Sequence, residues 1–249
     1  MAVRAVVLAA GRGIRMGGIE HKSLLPVGSH EPLLYYLLGG LKKAGVEDLM
    51  VVTGYRSQDV QEFVSKYWES ETTYVFNARY ASWGNFHSLR LAIDQSPGFE
   101  LLAVNCDIVV HPDVMSRVLS QRGDLVLAVE RRLRLDDEDM RVDLKGSRVA
   151  GIGKHLKRAR SHGEFCGVSL IRPPAAGPYA DVASDYEWRG RSDVYYEDVY
   201  ADIVDRVDVR SAPVNAEEYA EVDAPDDLPE AEAIIARNQG AWEIGVKSA

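Results

Sequence analysis

The densest concentration of reactive chemistry in this chain is a short loop that places Gly11, Gly13, Arg15 and Lys22 directly after the apolar run VRAVVLAA at residues 3–10. Two closely spaced glycines let backbone N–H groups approach phosphate oxygens. An arginine can neutralise the β and γ phosphates of a triphosphate, and a lysine can sit beside the α phosphate under attack. Two better-known glycine loops do not fit. The dinucleotide fingerprint needs a glycine where Met16 stands, and the Walker A loop needs one where His21 precedes Lys22-Ser23. The competing reading is a flexible turn with incidental basic residues.

Two carboxylates complement that loop. Asp107 ends the apolar strand LLAVNCD, and Asp223 ends EYAEVD just ahead of Pro225. Such a pair can hold Mg²⁺ against an α phosphate and an attacking phosphate. The plainer alternatives are a strand-end turn residue for Asp107 and a helix N-cap for Asp223. Asp113, Asp226 and Asp227 read as helix-start acids. The six histidines (21, 30, 87, 111, 155 and 162) show no metal spacing and read as surface, cap or loop residues. Cys106 and Cys166 lie in apolar runs and read as buried thiols, with no disulfide framework or zinc site. No catalytic dyad stands out, which suits a reaction whose nucleophile is already an anionic oxygen.

These residues need a scaffold. The runs at 3–10, 48–54, 72–77, 100–107 and 124–130 are continuous apolar strands of the kind buried on both faces of a parallel sheet, and helix-period segments separate them. The pattern predicts an α/β fold with a Rossmann-like, doubly wound, mostly parallel mixed sheet. In such a sheet ligands bind beyond the carboxyl ends of the strands, where the first loop and Asp107 fall. From about residue 139, MRVDLKGSRVAGIGK predicts a hairpin around Lys145-Gly146-Ser147, a small antiparallel insertion, and EFCGVSLIRP returns to the sheet. Residues 174–206, rich in Pro, Asp, Tyr and Arg, are expected to form loops and one helix around YYEDVYADIVDRV. A strand pair, VDVRSAP and EYAEVD, and a closing helix with Pro225 in its first turn complete the series.

The 249 residues fit one large α/β domain or two very small ones, and 29 basic against 38 acidic side chains give a net charge of −9. That balance argues against nucleic acid or an anionic membrane surface as partner. No apolar stretch approaches bilayer-spanning length, so a soluble, cytoplasmic protein is expected. An apolar helix face can cover either the core or a second subunit, so a homodimer stays open.

The stretch LAAGRGIRM followed by HKSLLPVG resembles the signature of the nucleoside-diphospho-sugar transferase superfamily, most of all its branch containing phosphocholine cytidylyltransferases. The resemblance implies a single nucleotidyltransferase domain over 1–240, an acceptor-side insertion at about 131–206, and a tail at 241–249. It implies that Leu8, Ala9, Ala10 and Gly11 wrap the nucleotide, that Arg15 and Lys22 meet its phosphates, and that Asp107 and Asp223 bind metal. The family usually has Pro where this chain has His21. A segment similar to FNARYASWGNFHSL lies beside pyrimidine and ribose in that branch, which implies nucleotide contacts from Asn77, Ser82, Trp83, Gly84, Asn85 and Ser88; Trp83-Gly84 stands where Thr-Asn is usual. The alternative for Trp83 is a place over the core. Lys154 corresponds to a lysine that reaches the acceptor phosphate. Glu164, Trp188, Tyr195, Glu197 and Asp198 are candidates for the acceptor side, where aromatic and acidic groups suit an aminium head; Tyr195, Tyr196 and Tyr200 can equally be one core face. The implied reaction is Mg²⁺-dependent transfer of CMP from CTP to a small phosphorylated alcohol or phosphonate. Two alternatives remain: a sugar-1-phosphate uridylyl- or thymidylyltransferase, and a nucleotide-binding regulator without catalysis.

Overall fold

The computed structural model describes residues 2–13, 21–132 and 134–246. The chain begins β1 (Val3–Ala9), α1 (Leu33–Lys43), β2 (Asp48–Thr53), α2 (Ser57–Tyr67), β3 (Thr72–Phe76), α3 (Asn85–Asp94) and β4 (Glu100–Asn105). The short β5 (Ile108–Val110), α4 (Pro112–Ser120) and β6 (Leu125–Glu130) follow, then a hairpin of β7 (Arg141–Lys145) and β8 (Arg148–Ile152), and β9 (Gly163–Ile171). Two helices, α5 (Pro173–Trp188) and α6 (Tyr196–Ile203), precede β10 (Val209–Val214), β11 (Tyr219–Glu221) and α7 (Leu228–Arg237).

Nine strands form one mixed sheet in the order β3-β2-β1-β4-β9-β6-β10-β8-β7. The pairs among β1, β2, β3 and β4 are parallel, as is β6 with β10, while β9 runs antiparallel to both β4 and β6. This is the doubly wound α/β sheet that the strand pattern predicts. Alternate residues of β1 enter opposite layers. Val6 and Leu8 join the core under α3, α5 and α6, and Ala5, Val7 and Ala9 join the core under α1, α2 and α4. Burial on both faces explains the unbroken apolar runs. Strand order reverses between β1 and β4, so the crevice beyond their carboxyl ends is the topological switch point.

The hairpin falls where the sequence puts it, and β7 also pairs with the start of β9, folding that edge of the sheet back on itself. Two expectations need correction. Residues 173–188 form a 16-residue helix rather than loops. Pro173 and Pro174 stand at its start, where a missing N–H is harmless, and the buried face of Tyr179, Val182, Ala183 and Tyr186 outweighs Pro178 further in. VDVRSAP and EYAEVD are both strands but do not pair with each other: β10 lies beside β6, and β11 pairs with β5. Part of the segment expected as a tail is tied down at Trp242 and Ile244. Trp242 is buried against Tyr36 and His111, and its indole N–H donates to the Val110 carbonyl at 2.8 Å. Gly39 in α1 makes room for it, since a Cβ there would lie 2.2 Å from the Trp242 carbonyl oxygen. Among the described residues no helix is long and apolar enough to cross a membrane.

Candidate functional site

The site assembles where β1 and β4 end. After β1 the chain passes Gly11 and Gly13 and later enters a single 3₁₀ turn, Lys22–Leu24, capped by His21. The His21 ring ties that turn back to the sheet. Its Nε2 lies 3.0 Å from the Ala9 carbonyl, which can only accept, so Nε2 carries the proton and Nδ1 accepts from Ser23, whose Oγ is 2.8 Å away. Burial lowers the His21 pKa and keeps the imidazole neutral. His21 is therefore an interior strut as well as the cap of that turn, and not a surface residue.

The strut aims Lys22 at two carboxylates from distant segments. Its Nζ lies 3.0 Å from Asp107 Oδ2 and 2.5 Å from Asp223 Oδ1. Burial works against the ammonium charge, but Asp107 and Asp223 together hold the Lys22 pKa above its ordinary value. Asp223 reaches this point because β11 zips onto β5: the Val222 N–H donates to the Asp107 carbonyl at 2.9 Å. The N–H groups of Asp223 and Ala224 both donate to Asp227 Oδ2, at 2.8 and 2.7 Å, fixing the turn. Asp227, read as a helix-start acid, thus also holds Asp223 in place.

Glu221 joins the pair. Ligand oxygens of Asp107, Glu221 and Asp223 all lie within 4.8 Å of one another. Loss of solvation, then the Asp107 and Asp223 charges, push the Glu221 carboxyl up to about 8. Three hard oxygen donors around a point where an ammonium already sits suit a divalent cation. The sequence signal for Glu221 is its spacing: residues i and i+2 of an extended EVD segment share a face.

Two cavities meet at these acids. One, of about 510 Å³, is lined by Leu8, Gly11, Gly13, Lys22, Tyr80 and Ala81 among others. The second, of about 210 Å³, is lined by Lys154, Glu164, Glu197, Glu138, Asp139 and Phe165 among others. Asn85, Asn105, Asp107, Tyr195 and Asp223 border both. Asn105, two residues before Asp107, is a further site residue that sequence reading missed. Its Oδ1 accepts from the Tyr196 hydroxyl at 2.9 Å, and Asn85 Oδ1 accepts from the Tyr196 N–H at 2.9 Å.

Several expected residues among those described do not line either cavity. Arg15 lies outside the described residues. The Ala9 and Ala10 carbonyls bond His21 and Tyr55 and shape the loop. Asn77 is buried, donating to Ser88 Oγ at 2.9 Å and accepting from the Arg79 N–H, so this pair braces the loop. Ser82 is exposed, and Trp83 packs against Phe86 under the Arg79 guanidinium. Gly84 permits a close crossing, since a Cβ would lie 1.8 Å from the Val194 carbonyl. Trp188 is 90% exposed at the end of α5, and Asp198 caps α6 by accepting the Tyr195 N–H. Tyr196 and Tyr200 are core, whereas Tyr195 faces the cleft.

The acceptor-side charges are mostly paired. Lys154 Nζ is 3.0 Å from Glu138 and 5.8 Å from the centre of the Tyr195 ring. Glu164 is buried and ion-paired with Arg132 at 2.6 Å, and burial still pushes its carboxyl up to about 7. Glu197 is buried, and its Oε2 meets no donor.

A family model described as the MobA-like NTP transferase domain matches residues 5–184. CMP-5'-(3-aminopropyl)phosphonate synthase of Streptomyces rubellomurinus is 34% identical over 139 residues, which is 53% of this chain and 21% of that protein. 2-Aminoethylphosphonate cytidylyltransferase of Lancefieldella rimae is 25% identical over 228 residues, 90% of this chain and 89% of the relative. Among solved structures, the CTP:phosphocholine cytidylyltransferase of Streptococcus pneumoniae superposes with a TM-score of 0.76 at 21% identity, covering 94% of this chain and all of the other, a likeness of fold. The matches to several curated relatives span only about a fifth to two fifths of those proteins' own lengths.

Proposed function

We propose, on the premise that this chain belongs to the MobA-like NTP transferase domain family, that it transfers CMP from CTP to a small molecule bearing a phosphate or phosphonate and releases pyrophosphate. The observation that carries the reading is the shared wall, where Lys22, Asp107 and Asp223 stand at the junction of a nucleotide-sized cavity and a smaller one. Relatives named for CMP or cytidylyl transfer to phosphonates support the choice of nucleotide and acceptor.

An oxygen of the acceptor, already anionic, attacks the α phosphorus of CTP. A P–O bond forms there while the bond from the α phosphorus to the bridging oxygen of the β phosphate breaks, and that oxygen leaves with the electron pair as pyrophosphate. No proton has to move. Lys22 offers its ammonium to the α phosphate, Arg15 to the outer phosphates, and Lys154 to the acceptor. Asp107 and Asp223, with Glu221, would hold a divalent cation such as Mg²⁺, which would neutralise phosphate charge as the two anions meet. Asn85, Asn105 and Tyr195 border both cavities and orient the partners.

The test is pyrophosphate release from each nucleoside triphosphate in turn, with phosphorylated and phosphonate acceptors, with and without Mg²⁺. CTP-specific, acceptor-dependent release is expected. Release with UTP or dTTP and a sugar 1-phosphate would replace the reading by its closest enzymatic rival, and tight binding without turnover would leave a regulator.

A further inference from the structure

We infer that His21 is the positioning residue for Lys22: the hydrogen bond from its imidazole to the end of β1 holds the ammonium against Asp107 and governs the transfer step, without contact between the ring and either substrate. This role rests on the transferase reading and concerns the step after both substrates have bound.

Lys22 follows a long loop, so β1 alone does not place it. Its stem passes Gly13, where a Cβ would lie 2.7 Å from the Lys22 Cβ, so main chain walls the lysine on one side. The His21 ring supplies the rest. Nε2 donates to the Ala9 carbonyl, 12 positions back along the chain, at 3.0 Å. Ala9 ends β1, and Leu8 before it pairs with Asn105 of β4, two positions before Asp107. One hydrogen bond and one strand pairing therefore connect Lys22 to the segment that carries its carboxylate partner. At the other ring nitrogen, Nδ1 accepts from the buried Ser23, from Oγ at 2.8 Å and from the N–H at 3.3 Å, which closes the 3₁₀ turn around Lys22.

The ring is placed for this task and for little else. It is 1% exposed although it borders the larger cavity, so it offers almost no surface to a phosphate or a base. Both nitrogens are engaged inside the fold, and the transfer needs no proton moved. The pair of contacts requires a neutral imidazole, which donates at one nitrogen and accepts at the other; an imidazolium would turn a second donor toward the Ser23 N–H and hold the turn less firmly. Geometry is what remains at stake: a misplacement of about 1 Å in a catalytic group costs on the order of a hundredfold in rate.

The experiment measures pyrophosphate release with CTP, Mg²⁺ and the fastest acceptor of the phosphate and phosphonate panel, for His21→Gln, His21→Asn and His21→Ala, each alone and combined with Lys22→Ala. A glutamine amide reaches the place of Nε2 and keeps the bond to Ala9, whereas asparagine ends near Nδ1 and keeps only the contact with Ser23. Alanine and asparagine are expected to lower kcat by roughly tenfold with both KM values within about threefold, and glutamine to restore most of the loss. Added to Lys22→Ala, His21→Ala should cost less than about twofold more, because its effect runs through the lysine. An unchanged kcat in the alanine variant, losses that multiply in the double variant, or an asparagine variant as active as the glutamine one overturns the inference and leaves the transferase reading standing. Should the alanine variant fold poorly, ¹⁵N chemical shifts of the His21 ring in the unaltered protein decide: the Nε2–H tautomer is expected at neutral pH, and the Nδ1–H tautomer or an imidazolium overturns the inference. No pyrophosphate release by the unaltered protein with any nucleotide and any acceptor overturns both.

Discussion

The two halves of the cleft solve opposite electrostatic problems. On the nucleotide side, glycines, neutral main chain and a buried lysine face a cavity of about 510 Å³. On the acceptor side, acids crowd a cavity of about 210 Å³ in which Lys154 is already paired. The first wall suits a polyanion, and the acidic second wall suits cationic groups. Asp107 and Asp223 stand between them and border both halves, with Asn85, Asn105 and Tyr195 beside them.

Breaking that common wall should have the largest effect. Asp107→Ala and Asp223→Ala are each expected to lower kcat by roughly a thousandfold with circular dichroism unchanged, and chelation of divalent metal should abolish turnover until Mg²⁺ is restored. Near-normal turnover in either variant would remove that residue from the site. Next comes a split between the lysines. Lys22→Ala should cut kcat by about a hundredfold whichever acceptor is used, whereas Lys154→Ala should mainly raise the acceptor KM, by about tenfold, with the CTP KM little changed. If both variants alter the same parameter, the two halves are not separable.

A subtler contrast lies in pH. Glu197 has its carboxyl pushed up to about 8, above its ordinary 4.5. Below pH 4.5 folded and unfolded chains both hold that proton; as pH rises toward 8 the unfolded chain releases it first, so stability falls across that window. Glu197→Gln should flatten the decline by on the order of 2 kcal/mol, about 5 °C in Tm between pH 5 and 8. The smallest effect belongs to Trp188. Trp188→Ala should leave every kinetic parameter within about twofold, as exposed substitutions away from a site usually do.

The same division governs what was legible in advance. The strand runs could be read, and Lys22 and both aspartates could be expected at one strand-end cleft where they do meet, because each signal is local: a strand, its terminal acid, a spacing of a few residues. Glu221 and Asn105 were overlooked although each lies two positions from a chosen aspartate on the same extended face. Asn77 and Ser88 hydrogen-bond to each other, which their sequence position does not announce, because polarity in a sequence does not tell a buried hydrogen bond from a ligand contact. The helix over 173–188 was hidden by prolines whose positions it tolerates. The acceptor wall draws on residues from 85 to 223, and no local pattern announces which acids meet there.

The contact between Lys22 and Asp223 joins residues 201 apart in sequence. Closing so long a loop is entropically slow and must wait for β5 and β11 to meet. A chain emerging from the ribosome therefore carries the glycine loop and Lys22 long before it carries the second aspartate. Until residues 221–223 have been synthesised, the nascent polypeptide lacks the full set of acids at this junction.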